Sequence, residues 1–131
     1  MGLEKDRRLN PEDYANSEML PVRLIIEDVR SGNNVGSFFR TGDAFRIEGI
    51  DLCGITCHPP HRDILKTALG SSKYVPWRGH KTALDAIEIL KSEGFNIASI
   101  EQTDSSILLN QWEPQLGEKW AFVVGNEVRG L

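Results

Sequence analysis

The stretch VRLIIEDV, residues 22–29, together with the segment Asn33–Arg46 that follows it, decides the fold class of this chain. The first stretch is apolar and rich in β-branched residues, which predicts a buried strand. The second segment has apolar residues at helical rather than alternating spacing, namely Val35, Phe38, Phe39, Ala44 and Phe45. A strand followed directly by a helix is the unit from which α/β folds are built.

The rest of the chain continues this alternation. We predict further strands at 49–55, 74–75, 95–100 and 119–124, helices at 63–69 and 81–91, a helix start at 10–13 and one helical turn at 106–110. This order indicates an α/β fold with a mostly parallel sheet and helices on both faces. In such sheets ligands bind beyond the carboxyl ends of the strands.

Length and composition set the protein class. The 131 residues are 40% hydrophobic and 26% charged, as in an ordinary globular domain, and we divide them into an extension, 1–20, and one domain, 21–131. The net charge of −4 argues against coating nucleic acid by bulk charge, so any basic patch must come from a few residues. With two cysteines, a charged start and no membrane-length apolar run, we expect a reduced, cytoplasmic protein with no membrane partner.

A first candidate motif follows the first predicted strand. Asn33, Asn34 and Gly36 open a helix whose free N-terminal amides can bind an anion. Arg40 follows Asn34 by six residues, about one and two-thirds turns, and an arginine fork grips phosphate. The motif suits a nucleotide substrate, but from spacing alone an ordinary helix cap followed by a surface arginine is the more common explanation.

A second candidate motif follows the last predicted strand. Gly125 allows a ligand to approach the backbone closely, and Glu127 can fix a loop or a partner arginine. A plain strand-to-helix turn capped by Asn126 is the simpler alternative.

Taken together, the two motifs resemble the SpoU (TrmH-like) family of the SPOUT RNA 2′-O-ribose methyltransferases. Asn34, Gly36 and Arg40 match the family's first motif, and Gly125–Gly130, followed by Leu131, matches its second. Further stretches resemble a subgroup of small family members, so that the likeness covers 22–131: these are Cys53–Thr56, Pro59–Ile64, Lys66–Gly70 and Ser99–Gln102.

The resemblance implies a fold, a reaction and a set of site residues. It implies a C-terminal trefoil knot, a homodimer, and methyl transfer from S-adenosylmethionine to a ribose 2′-hydroxyl of RNA. The short N-terminal extension favours tRNA over rRNA. By similarity the catalytic residues are Asn34, Arg40 and Glu127; the donor-binding residues are Val124, Gly125, Asn126, Gly130 and Leu131; and the RNA-binding residues are Asn33, Arg40, Arg46 and Arg129.

One departure from the family pattern and one question about its mechanism leave alternatives open. The family's third motif, roughly Ser-Leu-Asn, does not occur before the chain ends at Leu131, which fits a fragment, a missing tail or a natural truncation with an incomplete knot. A non-catalytic RNA-binding or dimerisation module of the same fold is therefore the alternative function. The family proposal that the motif-one arginine acts as base conflicts with its high pKa, so we favour a phosphate-binding role for Arg40.

A cluster of cysteines and histidines, the tryptophans and the cations are further candidates for metal binding or RNA contact. Cys53, Cys57, His58 and His61 are crowded together, but Cys53 belongs to a predicted strand, so we expect no metal site. Trp77 is the better surface candidate for base stacking, Trp120 is expected in the core, and Asp51, Asp85 and Glu88 are expected to be solubilising. The candidate RNA-contacting cations are Arg7, Arg8, Arg40, Arg46, Arg62, Lys66, Lys73, Arg78 and Lys81.

Overall fold

The computed structural model describes residues 19–100 and 117–125. The strands are β1 Leu20–Glu27, β2 Ile47–Cys53, β3 Trp77–His80, β4 Asn96–Ser99 and β5 Trp120–Gly125. The helices are α1 Gly32–Phe45, α2 Arg62–Ala68 and α3 Ala83–Ser92, with a 3₁₀ turn at Ser71–Lys73. No helix within the described ranges is long and apolar enough to cross a bilayer.

The five strands form one parallel sheet in the order β3-β2-β1-β5-β4. β1 lies at the centre of the sheet, and its last residue, Glu27, is in register with Cys53 of β2 and Gly125 of β5. The chain builds outward from β1 to β3, then crosses to β4 and returns to β5. The strand order therefore reverses between β1 and β5, where ligands of open α/β sheets bind.

Helices cover both faces of the sheet, as the sequence predicted. Alternate residues of β1, such as Leu24 and Ile26, pack in one core with Val35 and Phe39 of α1. The intervening Ile25 packs in a second core against α3. The period-two alternation of a strand therefore separates the α1–α2 face from the α3 face.

Gly36 is buried where α1 crosses α2. A Cβ at this position would collide with Thr67 Oγ1 and lie 2.7 Å from the Ile64 carbonyl oxygen. Thr67 Oγ1 is itself within hydrogen-bond distance of the carbonyl oxygens of Asn33, at 2.9 Å, and Asp63, at 3.1 Å. Gly36 thus allows the two helices to approach closely.

The order of elements agrees with the prediction at all but one strand. The strand predicted at 74–75 is wrong, because Val75 closes the 3₁₀ turn by donating its N–H to the Ser71 carbonyl at 3.0 Å. The third strand is instead Trp77–His80, which pairs with β2 from Ile50 onward. The predicted helix start at 10–13 and turn at 106–110 lie outside the described residues.

The expectation that Asp51 is a solubilising surface charge is wrong. Asp51 is fully buried on β2, and its carboxylate accepts hydrogen bonds from Arg23 Nε at 2.8 Å and Arg78 Nε at 3.1 Å. The His80 ring Nε2 lies 2.7 Å from the same carboxylate. Because two arginines compensate its charge, the carboxylate is stable inside the fold. Arg78, which also binds Glu93, is therefore a structural residue and a poor candidate for contacting RNA.

Candidate functional site

Gly125, the first residue of the second motif, lies at the carboxyl edge of the sheet, close in sequence register to the start of the first motif. Gly125 ends β5 directly beside Glu27, and α1 starts five residues after Glu27. The Val124 side chain is only 4% exposed and packs in the core that Val35 of α1 also lines. The start of α1 and the end of β5 therefore lie at the same edge of the sheet.

The turn between β1 and α1 is hydrogen-bonded to the loop after β2. Asp28, in a left-handed conformation with φ of 53°, accepts the Ile55 N–H at 3.0 Å, and its own N–H reaches the Cys53 carbonyl at 3.2 Å. The buried Thr56 hydroxyl lies 2.7 Å from the Cys53 carbonyl oxygen and accepts the Val29 N–H at 3.1 Å. These bonds position the first turn of α1 relative to two strand ends.

The N-terminus of α1 has the features of an anion site. Ser31 caps the helix, with its hydroxyl accepting the Asn34 N–H at 3.1 Å and its carbonyl accepting the Val35 N–H at 3.0 Å. The amides of Gly32 and Asn33 have no acceptor among the described residues. A 14-residue helix with free N-terminal amides favours negative charge at that end.

Arg40 is exposed on α1 and lies on the same side of the helix as Asn33, because seven residues correspond to nearly two full turns. Asn34 is six residues away, about 9 Å along the axis and about 120° around it. Long helical side chains lean toward the helix N-terminus, so the Arg40 guanidinium is directed toward the anion site. Asn33 and Arg40 are therefore exposed on one side of α1, and Asn34 is exposed about 120° around the helix from Arg40.

Arg46 is not brought to this edge. It ends α1 in a left-handed conformation, and its carbonyl accepts the Leu20 N–H at 2.8 Å, at the start of β1. Twelve residues of helix place it about 18 Å along the axis from Asn34. Because α1 runs antiparallel to the strands, Arg46 lies at the amino edge of the sheet, opposite the carboxyl edge where α1 begins.

The second motif is described only in part. Val124 and Gly125 end β5, and since the Val124 side chain is buried, only its backbone could contact a ligand at the edge. Asn126, Glu127, Arg129, Gly130 and Leu131 lie outside the described residues, so their assigned roles stay predictions.

Sequence reasoning missed Glu27, the last residue of β1. It is half-buried between Cys53 and Gly125, and its carboxylate has no hydrogen-bond or ion-pair partner among the described residues. Strand alternation directs it to the α3 face, with Ile25. An acidic residue ending an otherwise apolar strand just before a candidate motif is the signal that could have identified it.

Cys53 is buried in the core, as predicted. Burial, with the nearby carboxylates of Asp51 and Glu27, raises the pKa of its thiol to about 12. A thiol held in this form is a poor nucleophile and a poor metal ligand. Within the described ranges, no group of three or more His, Cys, Asp or Glu residues could hold a metal ion.

A separate shallow depression lies beside α3, and Lys81 is its one residue among the candidate RNA-contacting cations. Its volume is about 450 Å³, and its lining residues are His80, Lys81, Asp85, Glu88, Ile89 and Ser92. This surface is unfavourable for binding phosphate, because the carboxylates of Asp85 and Glu88 outweigh the positive charge of Lys81.

Comparison with known proteins agrees with this geometry. Residues 21–131 match the SpoU rRNA Methylase family. The chain is 27% identical over 128 residues to a tRNA (guanosine(18)-2′-O)-methyltransferase of Borreliella burgdorferi, covering 98% of this chain and 56% of that protein. The crystal structure of an rRNA methyltransferase from Sinorhizobium meliloti superposes with a TM-score of 0.68 at 24% identity, covering 84% of this chain and 41% of that one.

The crystal structure of an AdoMet-bound rRNA methyltransferase from Sinorhizobium meliloti superposes with a TM-score of 0.65 at 23% identity, again covering 84% of this chain and 41% of that one. The chain therefore belongs to the SpoU rRNA methylase family and has its α/β fold. It spans about half the length of the curated relative it matches.

Proposed function

We propose that the protein transfers a methyl group from S-adenosylmethionine to a ribose 2′-hydroxyl of RNA. The observation that supports this proposal is the register of Glu27, five residues before α1, with Gly125, the first residue of the second motif. Family membership and the printed function of the Borreliella relative support the same reaction.

The substrate side of the site is formed by α1. The free amides of Gly32 and Asn33 and the guanidinium of Arg40 offer a sugar–phosphate backbone donors and positive charge. A guanidinium is not deprotonated in proteins, so Arg40 acts by holding phosphate and stabilising the charge that develops on the ribose oxygen. Asn34, exposed at the same helix start, orients the hydroxyl through its side-chain amide.

The donor side of the site is formed by the end of β5. Gly125 has no side chain to block the edge, and the neighbouring Glu27 carboxylate has no described partner, which suits a ligand that carries positive charge and hydroxyl groups. S-adenosylmethionine, when bound, supplies an activated methyl group. The backbone of Val124 and Gly125, with Asn126, Gly130 and Leu131, would hold it, and Glu127 would fix the surrounding loop or the partner chain.

The RNA partner is held by local rather than bulk charge, since the chain carries a net charge of −4. Exposed cations on the α1–α2 face, Arg40, Arg62 and Lys66, are the best placed to bind it. We assign tRNA as the more favoured substrate class, in line with the Borreliella relative, and a cytoplasmic homodimer as the active form. The predicted RNA contact by Arg129 completes this proposal.

Methyl transfer by the full-length Arg40→Ala variant tests the proposed function. Removing one charge-stabilising donor should lower the rate of transfer of labelled methyl to RNA by at least about 100-fold, with the fold intact. Lys91→Ala is the matched control, because Lys91 is exposed on α3 and away from the site. Normal transfer by Arg40→Ala would overturn the role of this residue. RNA binding without donor binding would favour the non-catalytic module instead.

A further inference from the structure

The loop between β2 and α2 presents an aromatic ring to solvent. His58 is exposed, and its ring centroid lies 5.3 Å from that of the half-buried Trp77, at an angle of 46°. The Trp77 side chain packs in turn against the core beneath α1. His58 therefore packs against a tryptophan whose position is fixed by the core.

Gly79 makes room for this ring. A Cβ at Gly79 would lie 3.1 Å from His58 Cε1, closer than side chains ordinarily pack. Glycine in a strand is unfavourable and marks a close approach by another group, which here is His58. Trp77 and Gly79 of β3 therefore both lie against the His58 ring. No described residue hydrogen-bonds to the ring nitrogens.

The ring belongs to the loop that follows β2, the strand whose last residue, Cys53, is in register with Glu27. From β3 to β5 there are three strand spacings, or about 14 Å. Arg62, four residues after His58, and Lys66, one helical turn further, are both exposed. Asp63 is the only acid between 57 and 66, so this part of an acidic protein is locally basic.

An exposed aromatic ring in a segment that also carries exposed cations suits unpaired nucleotides, since bases stack on the ring while cations hold phosphate. We propose that His58, supported by Trp77 and Gly79, is a stacking platform for an unpaired base of the RNA substrate, at a distance from the methylated ribose. This inference rests on the proposed function for the identity of its ligand. Stacking tolerates any base, so the platform selects looped over duplex RNA rather than a sequence.

Fluorescence anisotropy with the full-length protein tests the platform. The probes are a fluorescein-labelled RNA hairpin of mixed loop sequence and the blunt duplex of its stem. His58→Ala should weaken hairpin binding by roughly tenfold and leave duplex binding unchanged, while His58→Phe should bind the hairpin as the wild type does. Melting temperatures of both variants should match the wild type, because His58 is exposed.

The outcomes separate the platform from the proposed function. Equal hairpin affinity of His58→Ala and wild type overturns the platform, even if the protein methylates RNA. A His58→Phe variant as weak as His58→Ala also overturns it, because the ring would then act by a polar contact. A His58-dependent affinity in a protein that transfers no methyl group supports the platform and refutes the activity. Absence of any RNA binding refutes both.

Discussion

Replacing Gly36 by alanine should destabilise the protein, although alanine is the better helix former. In the interior of an exposed helix this change gains about 1 kcal/mol. Here the new methyl group would meet Thr67 Oγ1, the Ile64 carbonyl at 2.7 Å and the Ala68 nitrogen at 3.0 Å. The first contact is with a side chain, but the other two are with backbone, so α1 and α2 must move apart.

The size of the effect follows from these contacts. Overpacking a close-packed contact costs about 1–3 kcal/mol. Rotating Thr67 away from the new methyl group would lose a hydrogen bond worth about 1 kcal/mol. Against the gain of about 1 kcal/mol in helix propensity, we expect a net loss of about 1–3 kcal/mol in the free energy of unfolding.

Urea denaturation followed by circular dichroism measures this loss. Ser37→Ala is the matched control, because Ser37 is exposed beside Gly36 on the same helix and should change stability by less than about 0.5 kcal/mol. The double variant Gly36→Ala, Thr67→Ala should recover only part of the loss, since the clash with the Ile64 carbonyl persists. A Gly36→Ala variant as stable as the wild type would refute the close packing of α1 on α2.

Two further predictions concern buried groups. Asp51→Ala should cost about 3–5 kcal/mol by denaturant unfolding, because Arg23, only 7% exposed, loses its buried partner; a cost below about 1 kcal/mol would contradict this. Since the pKa of the Cys53 thiol is raised from 9.0 to about 12, the unfolded chain ionises first as pH rises. Stability should therefore be full below about pH 9 and fall by about 1 kcal/mol by pH 10. The Cys53→Ala variant should not show this loss of unfolding free energy between pH 9 and pH 10. If the free energy of unfolding depends on pH identically in the variant and the wild type, the raised pKa is contradicted.

The strand–helix order was predictable because hydrophobic periodicity reports burial directly. The predicted β1 differs from the observed strand by two residues at each end. The predicted α1 differs from the observed helix by one residue at each end. The third strand, WRGH, has no apolar run, and it is a strand because Trp77 and Gly79 pair with Ile50 and Leu52. Such pairing depends on residues more than twenty positions away, which local patterns do not contain.

The candidate site was predictable where its residues adjoin strand ends and not elsewhere. Asn34 and Gly125 follow or end apolar strands, whose carboxyl ends share an edge in a parallel sheet. Arg46 lies far from Asn34 because nearness in sequence along a helix becomes distance in space, and its predicted RNA contact stays a prediction. Asp51 was misjudged because its arginine partners are 27 and 28 residues away in sequence. His58 gave no signal, since its support by Trp77 is visible only in the structure.

Titration calorimetry with S-adenosylhomocysteine, on the full-length wild type and on Gly125→Val, tests most directly whether the end of β5 is the donor site. We expect the wild type to bind one ligand per chain. Gly125→Val, with an unchanged melting temperature, should bind at least about tenfold more weakly, because a branched side chain would fill the edge beside Glu27. Equal affinity of the two proteins, or no binding by the wild type, would contradict a donor pocket between β1 and β5.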